Sequence, residues 1–333
     1  MTHRYHHRDE HYPLNRTQAL TLRWLHRSGL EGDDLLMEAL YRRGFLAYRD
    51  EQGVWMGTGS HEADLEVLQL IDGITVEPVS GDEHRMARVR RIEVETAPMA
   101  VAEAIVSLPE NKNRMTSAGL GSGFDRTWEH YRQMRWGAKR PTCPMTENDR
   151  GATRVYNALD LGIALFVKAL PLARVAAIIS CDGHGTRAAA VEFAFDWDAA
   201  WCSAVFGALH VAIPNTVWFV NANGIHIVPS SVANKFANGS TLQEFEFTDS
   251  QVLGMLDDIQ RVSRRLLDQD TIDRIGRART RTLKAFRTWP PPDEHRFAAE
   301  ARCQLEVEFG FAPSGPTHPH WRHQATTGRC SPV

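Results

Sequence analysis

The pentapeptide Cys181-Asp182-Gly183-His184-Gly185 separates two apolar runs, Val175 to Ile179 and Ala188 to Phe195, and this arrangement constrains the fold more tightly than any other stretch. The two glycines let the backbone reverse at once, so the flanking segments must lie side by side. Pro171 suits a helix start, and the small residues Ala173, Ala176, Ala177 and Ser180 suit close helix packing. The expectation is therefore a helix ending at Ser180, a turn, and a strand over 188–195. In that strand Val191, Phe193 and Phe195 share one face and leave Glu192 on the other. Asp196 is placed to cap a helix running to about Leu209. Strands are expected over 216–220 and 225–228, around Asn221-Ala222-Asn223-Gly224.

Periodicity organises the rest of the chain. Residues 1–15 form a histidine-rich leader. Residues 16–60 read as a small helical and hairpin region like the end of a winged helix, with helices over 17–27 and 33–43 and a hairpin turn at Asp50-Glu51-Gln52-Gly53. Residues 61–152 contain a first α+β unit and a linker: a helix over 61–71 stopping at Asp72-Gly73, strands over 74–79 and 88–96, a helix over 98–108, and a short aromatic-basic helix over 125–136. Residues 153–248 form the second α+β domain. Residues 249–288 are a charged helical region interrupted near 268–271, and 289–333 a proline-rich tail, partly disordered. The fold class is α+β, with helical N- and C-terminal appendages. No short-period repeat suggests a solenoid or propeller.

Composition narrows the function. The chain has 333 residues, 43% of them hydrophobic, enough for a substantial core. Its apolar runs are too short to span a bilayer and the N-terminal residues lack the pattern of a secretory signal, so the expected location is the cytoplasm, with no membrane partner. Five scattered cysteines, none in a CxxC pair, argue against a disulfide framework or a four-cysteine zinc site. A formal net charge of −3 gives no overall attraction to nucleic acid. A DNA-binding role would need a local basic surface, for which the arginines between Arg261 and Arg287 are candidates.

The segment Ala177 to Gly185, with the residues following it to Ser231, resembles the LAGLIDADG homing-endonuclease fold in its divergent "DGH" form. That resemblance implies α-β-β-α-β-β units around a saddle-shaped antiparallel sheet. It also implies double-stranded DNA as partner and Mg2+-dependent hydrolysis of phosphodiester bonds. Asp182 would be a catalytic metal ligand. Its partner carboxylate would be Asp72, ending a fainter first copy at residues 61–108, or Asp182 of a second subunit in a homodimer. The sheet face away from the core would read DNA, which makes Arg187, Trp218, Asn221 and His226 candidate contacts.

Other readings remain open. A protein of this fold could bind DNA, or act as a scaffold, without cleavage. The Asp182-Gly183-His184-Gly185 turn could serve a metal-dependent hydrolase or phosphatase. Cys181 and His184, at a spacing known for zinc ligands, could combine with His210 and His226 in a zinc hydrolase.

Overall fold

The computed structural model describes residues 14–56, 62–69, 71–78, 90–94, 97–108, 159–175, 177–193, 196–221, 224–237, 246–286, 294–310 and 321–323. The leader up to residue 13, the aromatic-basic segment over 125–136 and most of the final tail lie outside the described residues. The chain is an α+β protein that divides into two compact units. One comprises residues 1–119 and 147–165, the other 120–146 and 166–333.

In the first unit, helices α1 (Arg16–Arg27) and α2 (Gly32–Arg43) precede strands β1 (Ala47–Asp50) and β2 (Gly53–Met56). Helix α3 (Glu62–Leu68), strands β3 (Ile74–Pro78) and β4 (Arg90–Val94), and helix α4 (Pro98–Val106) follow. Local chemistry sets several of these boundaries. Asn15 and Gln18 form a reciprocal capping box at the start of α1. Gly44 ends α2 in the left-handed conformation, at φ 92°. The sheet is antiparallel in the order β1-β2-β4-β3. Val54 of β2 pairs with Ile92 of β4, so residues 16–60 and 61–108 share one sheet. The boundary expected near residue 60 therefore falls inside a single core, in which Leu36, Leu40, Phe45, Val54, Ile92, Val101 and Ile105 are buried together. The two helices and the hairpin expected over 16–60 are present, and the strand that extends the hairpin into a larger sheet lies far along the chain.

The division between units falls within helix α5 (Ala164–Ala169). The second unit continues with β5 (Ala177–Cys181), β6 (Ala189–Phe193), α6 (Asp196–Leu209), β7 (Thr216–Asn221), β8 (Gly224–Pro229) and the short α7 (Ala233–Ala237). Helices α8 (Asp249–Leu267), α9 (Gln269–Lys284) and α10 (Glu294–Phe309) and a short strand β9 (Trp321–His323) complete it. The sheet order is β5-β6-β8-β7-β9, antiparallel except for the parallel β7–β9 pair. Each unit thus contains the run helix, two strands, helix, two strands, helix, preceded by α1 in the first unit and followed by α8, α9, α10 and β9 in the second, and each places the second strand of that run against the fourth.

One expected helix is a strand. Residues 177–181 form β5, which pairs with β6 through Ser180↔Val191 and Cys181↔Ala190. A short apolar run with consecutive β-branched residues satisfies either element, and here pairing with β6 decides. The close helix contact expected of Ala173, Ala176 and Ala177 is therefore not formed as drawn. Ala173 is buried in the turn after α5, where its carbonyl accepts the Trp201 indole N–H at 2.7 Å; Ala177 opens β5, and Ala176 lies outside the described residues.

The C-terminal helices are not appendages either. Phe297, Ala301 and Leu305 of α10 are buried, and Phe297 meets the ring of Trp197 on α6 edge-on at 6.1 Å. The expected break in the charged helical region is present at Asp268, whose carboxylate accepts from the amide and hydroxyl of Thr271 at 3.0 and 2.7 Å and starts α9. No helix among the described residues is long and apolar enough to cross a membrane.

The β6–β8 contact has no space for a side chain at Gly224. A Cβ there would lie 2.0 Å from the Val191 carbonyl oxygen and 2.9 Å from Glu192 Cα. Gly207, inside α6, has nothing within 4 Å of its Cβ position. In urea unfolding, Gly224→Ala should lose about 3 kcal/mol. Gly207→Ala should gain about 0.5–1 kcal/mol through helix propensity.

Candidate functional site

Strand β5 ends at Cys181, and the chain then turns through Asp182, Gly183, His184 and Gly185. Gly183, His184 and Gly185 all have positive φ, at 76°, 49° and 74°. Glycine tolerates this region freely, whereas histidine enters it at a cost of about 1–2 kcal/mol. Gly183 is also sterically required, because a Cβ would stand 3.0 Å from the Ala188 carbonyl carbon and oxygen.

The Asp182 side chain is fully inaccessible, and its Oδ1 accepts the His184 amide at 2.8 Å. His184 is 42% exposed. Its ring spans the site, with Nδ1 lying 3.0 Å from Asp182 Oδ1 and Nε2 3.5 Å from Cys181 Sγ. The Gly183 amide donates to Cys181 Sγ at 3.3 Å. One donor atom from each of Cys181, Asp182 and His184 lies within 4.8 Å of the others. The group sits at a sheet edge, because β5 is the outermost strand.

Asp72 does not occupy the corresponding place in the first unit. It is exposed and lies in the turn before β3, the third strand of its sheet, whereas Asp182 lies between the first and second strands of its own. The topological counterpart of Asp182 is Asp50, at the β1–β2 turn. Asp50 Oδ1 accepts the amide of Gln52 at 2.8 Å, two residues on, as Asp182 does with His184. Asp50 also accepts the Trp55 indole N–H at 2.8 Å. The two turns read Asp50-Glu51-Gln52-Gly53 and Asp182-Gly183-His184-Gly185. Only Glu51 and Gln52 separate the paired Asp50 and Gly53, while residues 182–189 separate Cys181 from Ala190.

Of the four candidate DNA contacts, Arg187 alone is exposed, just past the turn. Trp218 is completely buried. Its indole donates to Thr216 Oγ1 at 2.9 Å, and its ring packs edge-on against Phe166 at 5.3 Å and Phe206 at 5.7 Å. It is a core residue, since Trp218 pairs with Ile227, which pairs with Ala189, on the face covered by α6. Asn221 accepts the Gly224 amide at 3.0 Å and shapes the β7–β8 turn. His226 is half-buried on the opposite face, in a row with Cys181, Ala190 and Phe219 across three strand pairings. Two strand spacings, about 10 Å, separate its backbone from that of Cys181. Neither His226 nor His210 joins the Cys181-Asp182-His184 group, so the zinc site that required both is not assembled.

Asp258, within the charged helical region, is buried. It accepts from the Asn215 amide at 2.9 Å, Asn215 Nδ2 at 3.1 Å and Thr216 Oγ1 at 2.8 Å, tying α8 to β7. Burial raises its pKa, and the hydrogen bonds from Thr216 and Asn215 partly oppose that rise. Its burial is legible only as a helical spacing, with Met255, Ile259 and Val262 on the same side of α8.

Much of the basic stretch is internally paired. Arg274 meets Asp270 at 2.8 Å, Arg277 meets Glu308 at 2.8 Å, and Arg281 also binds Glu308. Arg279 is buried, with its guanidinium over the rings of Trp201 and Phe297. Comparison with protein-family models, curated proteins and solved structures finds no match to the chain.

Burial lowers the pKa of His226 below the ordinary 6.5. A histidine with a depressed folded pKa contributes stability that is present above about pH 6.5 and is lost as pH falls through the folded value. Acidification from about pH 7 to about pH 5 should lower the urea midpoint, and His226→Gln should remove part of that loss. Equal pH profiles for the two proteins would disprove the assignment.

Proposed function

We propose that the protein binds double-stranded DNA through a doubled, LAGLIDADG-like α+β fold. The observation that carries this reading is the repetition of one architecture. Both units contain the run helix, two strands, helix, two strands, helix, and in both the four strands of that run lie in the order first, second, fourth, third, with β9 added at the end of the second sheet. Each also carries an aspartate-bearing turn between its first two strands, closed by the same two-residue hydrogen bond. Each antiparallel sheet has a face against which a duplex could be positioned by phosphate contacts.

Exposed Arg187, next to the Asp182 turn, is the strongest candidate for such a contact. Arg261 and Arg264, exposed on α8, are further candidates. With a net charge of −3, the affinity must come from such local cations.

The Mg2+-dependent endonuclease reading receives less support. Mg2+ prefers an all-oxygen shell, whereas Asp182 is flanked by a sulfur and an imidazole. Asp72 does not stand at the equivalent turn. The proposal is therefore DNA binding, without a hydrolytic step through Asp72 and Asp182.

The test is a fluorescence-anisotropy titration of the purified chain with a mixed-sequence duplex. Affinity should fall by about tenfold or more between about 50 and about 200 mM salt. Arg187→Ala should weaken binding and reduce the salt slope by about one. Absence of binding at the lower salt, or binding indifferent to salt, would overturn the proposal.

A further inference from the structure

The turn that follows β5 holds a donor set whose chemistry differs from the magnesium site that the resemblance implies. We infer that Cys181 Sγ and His184 Nε2, with the Asp182 carboxylate positioning the His184 ring, form a binding site for a zinc-class divalent cation. The inference stands apart from the DNA-binding reading, because it rests on the turn alone.

Four observations converge on it. The first is the donor types: thiolate and imidazole suit zinc and cobalt, whereas Mg2+ takes oxygen and holds its waters tightly. The second is the spacing. A sulfur at about 2.3 Å and a nitrogen at about 2.0–2.1 Å from a tetrahedral ion stand about 3.6 Å apart. Cys181 Sγ and His184 Nε2 are 3.5 Å apart.

The third is the orientation of the ring. Zinc-ligating histidines commonly present their other ring nitrogen to a carboxylate, which sets the tautomer and the aim of the ligating nitrogen. His184 Nδ1 lies 3.0 Å from Asp182 Oδ1, and Nε2 is the atom that faces the sulfur. The fourth is the backbone. The Gly183 amide donates to Cys181 Sγ at 3.3 Å and fixes the position of the sulfur at the start of the turn. His184 is held at φ 49°, a conformation that needs the rest of the turn to enforce it.

A bound ion would gather these strained elements into one chelate, so binding should also stabilise the fold. A simple thiol–imidazole hydrogen bond predicts the same Sγ–Nε2 distance without any ion. The experiment must therefore read sulfur–metal bonding itself.

Co2+ is the probe, added to the purified full-length protein under reducing conditions and in the absence of other metals. The expected result is a near-ultraviolet sulfur-to-cobalt charge-transfer band together with intense visible tetrahedral bands. The signal should saturate at a single equivalent, be displaced by Zn2+ and be unaffected by Mg2+. The histidine-rich leader can take up cobalt through nitrogen, but it cannot produce the sulfur band. Cys181→Ser should abolish that band, while Cys303→Ser should leave it intact. His184→Ala and Asp182→Asn should each weaken affinity by about 10- to 100-fold.

A wild-type measurement guards against misfolded variants. Zn2+ should slow alkylation of Cys181 by about tenfold or more, read peptide by peptide in a mass spectrometer, and leave exposed Cys303 unchanged. Absence of the sulfur band, its survival in Cys181→Ser, or alkylation of Cys181 indifferent to Zn2+ would each overturn the inference.

Discussion

The pairing of the second strand with the fourth organises each half of this protein. In the second half it is the register Val191↔Ile225 and Ala190↔His226, made possible by the close approach of Gly224 to the Val191 carbonyl. Because side chains alternate across a strand, this register assigns every residue of the sheet to a face. Ser180, Val191, Ile225 and Val220 fall on one side and are all buried. Cys181, Ala190, His226 and Phe219 fall on the other. Slipping by one residue would send Trp218 away from Phe166 and Phe206, and would move Cys181 into the core. The position of the Cys181 thiol at the start of the turn thus depends on contacts made two strands away.

The turn itself departs from what a merely structural loop requires. Reversal of the chain needs only the glycines. A buried carboxylate and a histidine in the left-handed region each cost stability. Asp182 recovers part of that through its bond to the His184 amide. The corresponding turn in the first half achieves reversal with an exposed Asp50 and two intervening residues. Comparing the two isolates what is special about the second: the lengthened loop, the burial of its aspartate, and the sulfur and imidazole on either side.

Charge is distributed with similar economy. The arginines of α9 reach Glu308 of α10 or Asp270 on their own helix, and Arg279 stacks between aromatic rings. Solvent screens such pairs, so each contributes little to stability. Their larger effect is to remove positive charge from the surface. Exposed arginines outside α9 include Arg187 and Arg264.

Several features were legible because local chemistry sets them. Asp268 interrupts the charged helical stretch as a side-chain cap, Gly73 precedes a strand, and the run from Asp196 to Leu209 is helical. The strands on either side of the β7–β8 turn also lie close to their expected bounds. The motif Asp182-Gly183-His184-Gly185 by itself determined a tight reversal with a carboxylate at its start. Tertiary structure decided the rest. A short apolar run such as 177–181 becomes a strand only when β6 is there to pair with it, and Asp258 becomes a buried acceptor only when Asn215 and Thr216 approach. Trp218 leaves the surface because its register places it over Phe166 and Phe206. Asp50, and not Asp72, matches Asp182 because equivalence between the halves lies in the order of strands within a sheet. That order is created by hydrogen bonds between residues far apart in the chain, and no spacing along the chain encodes it.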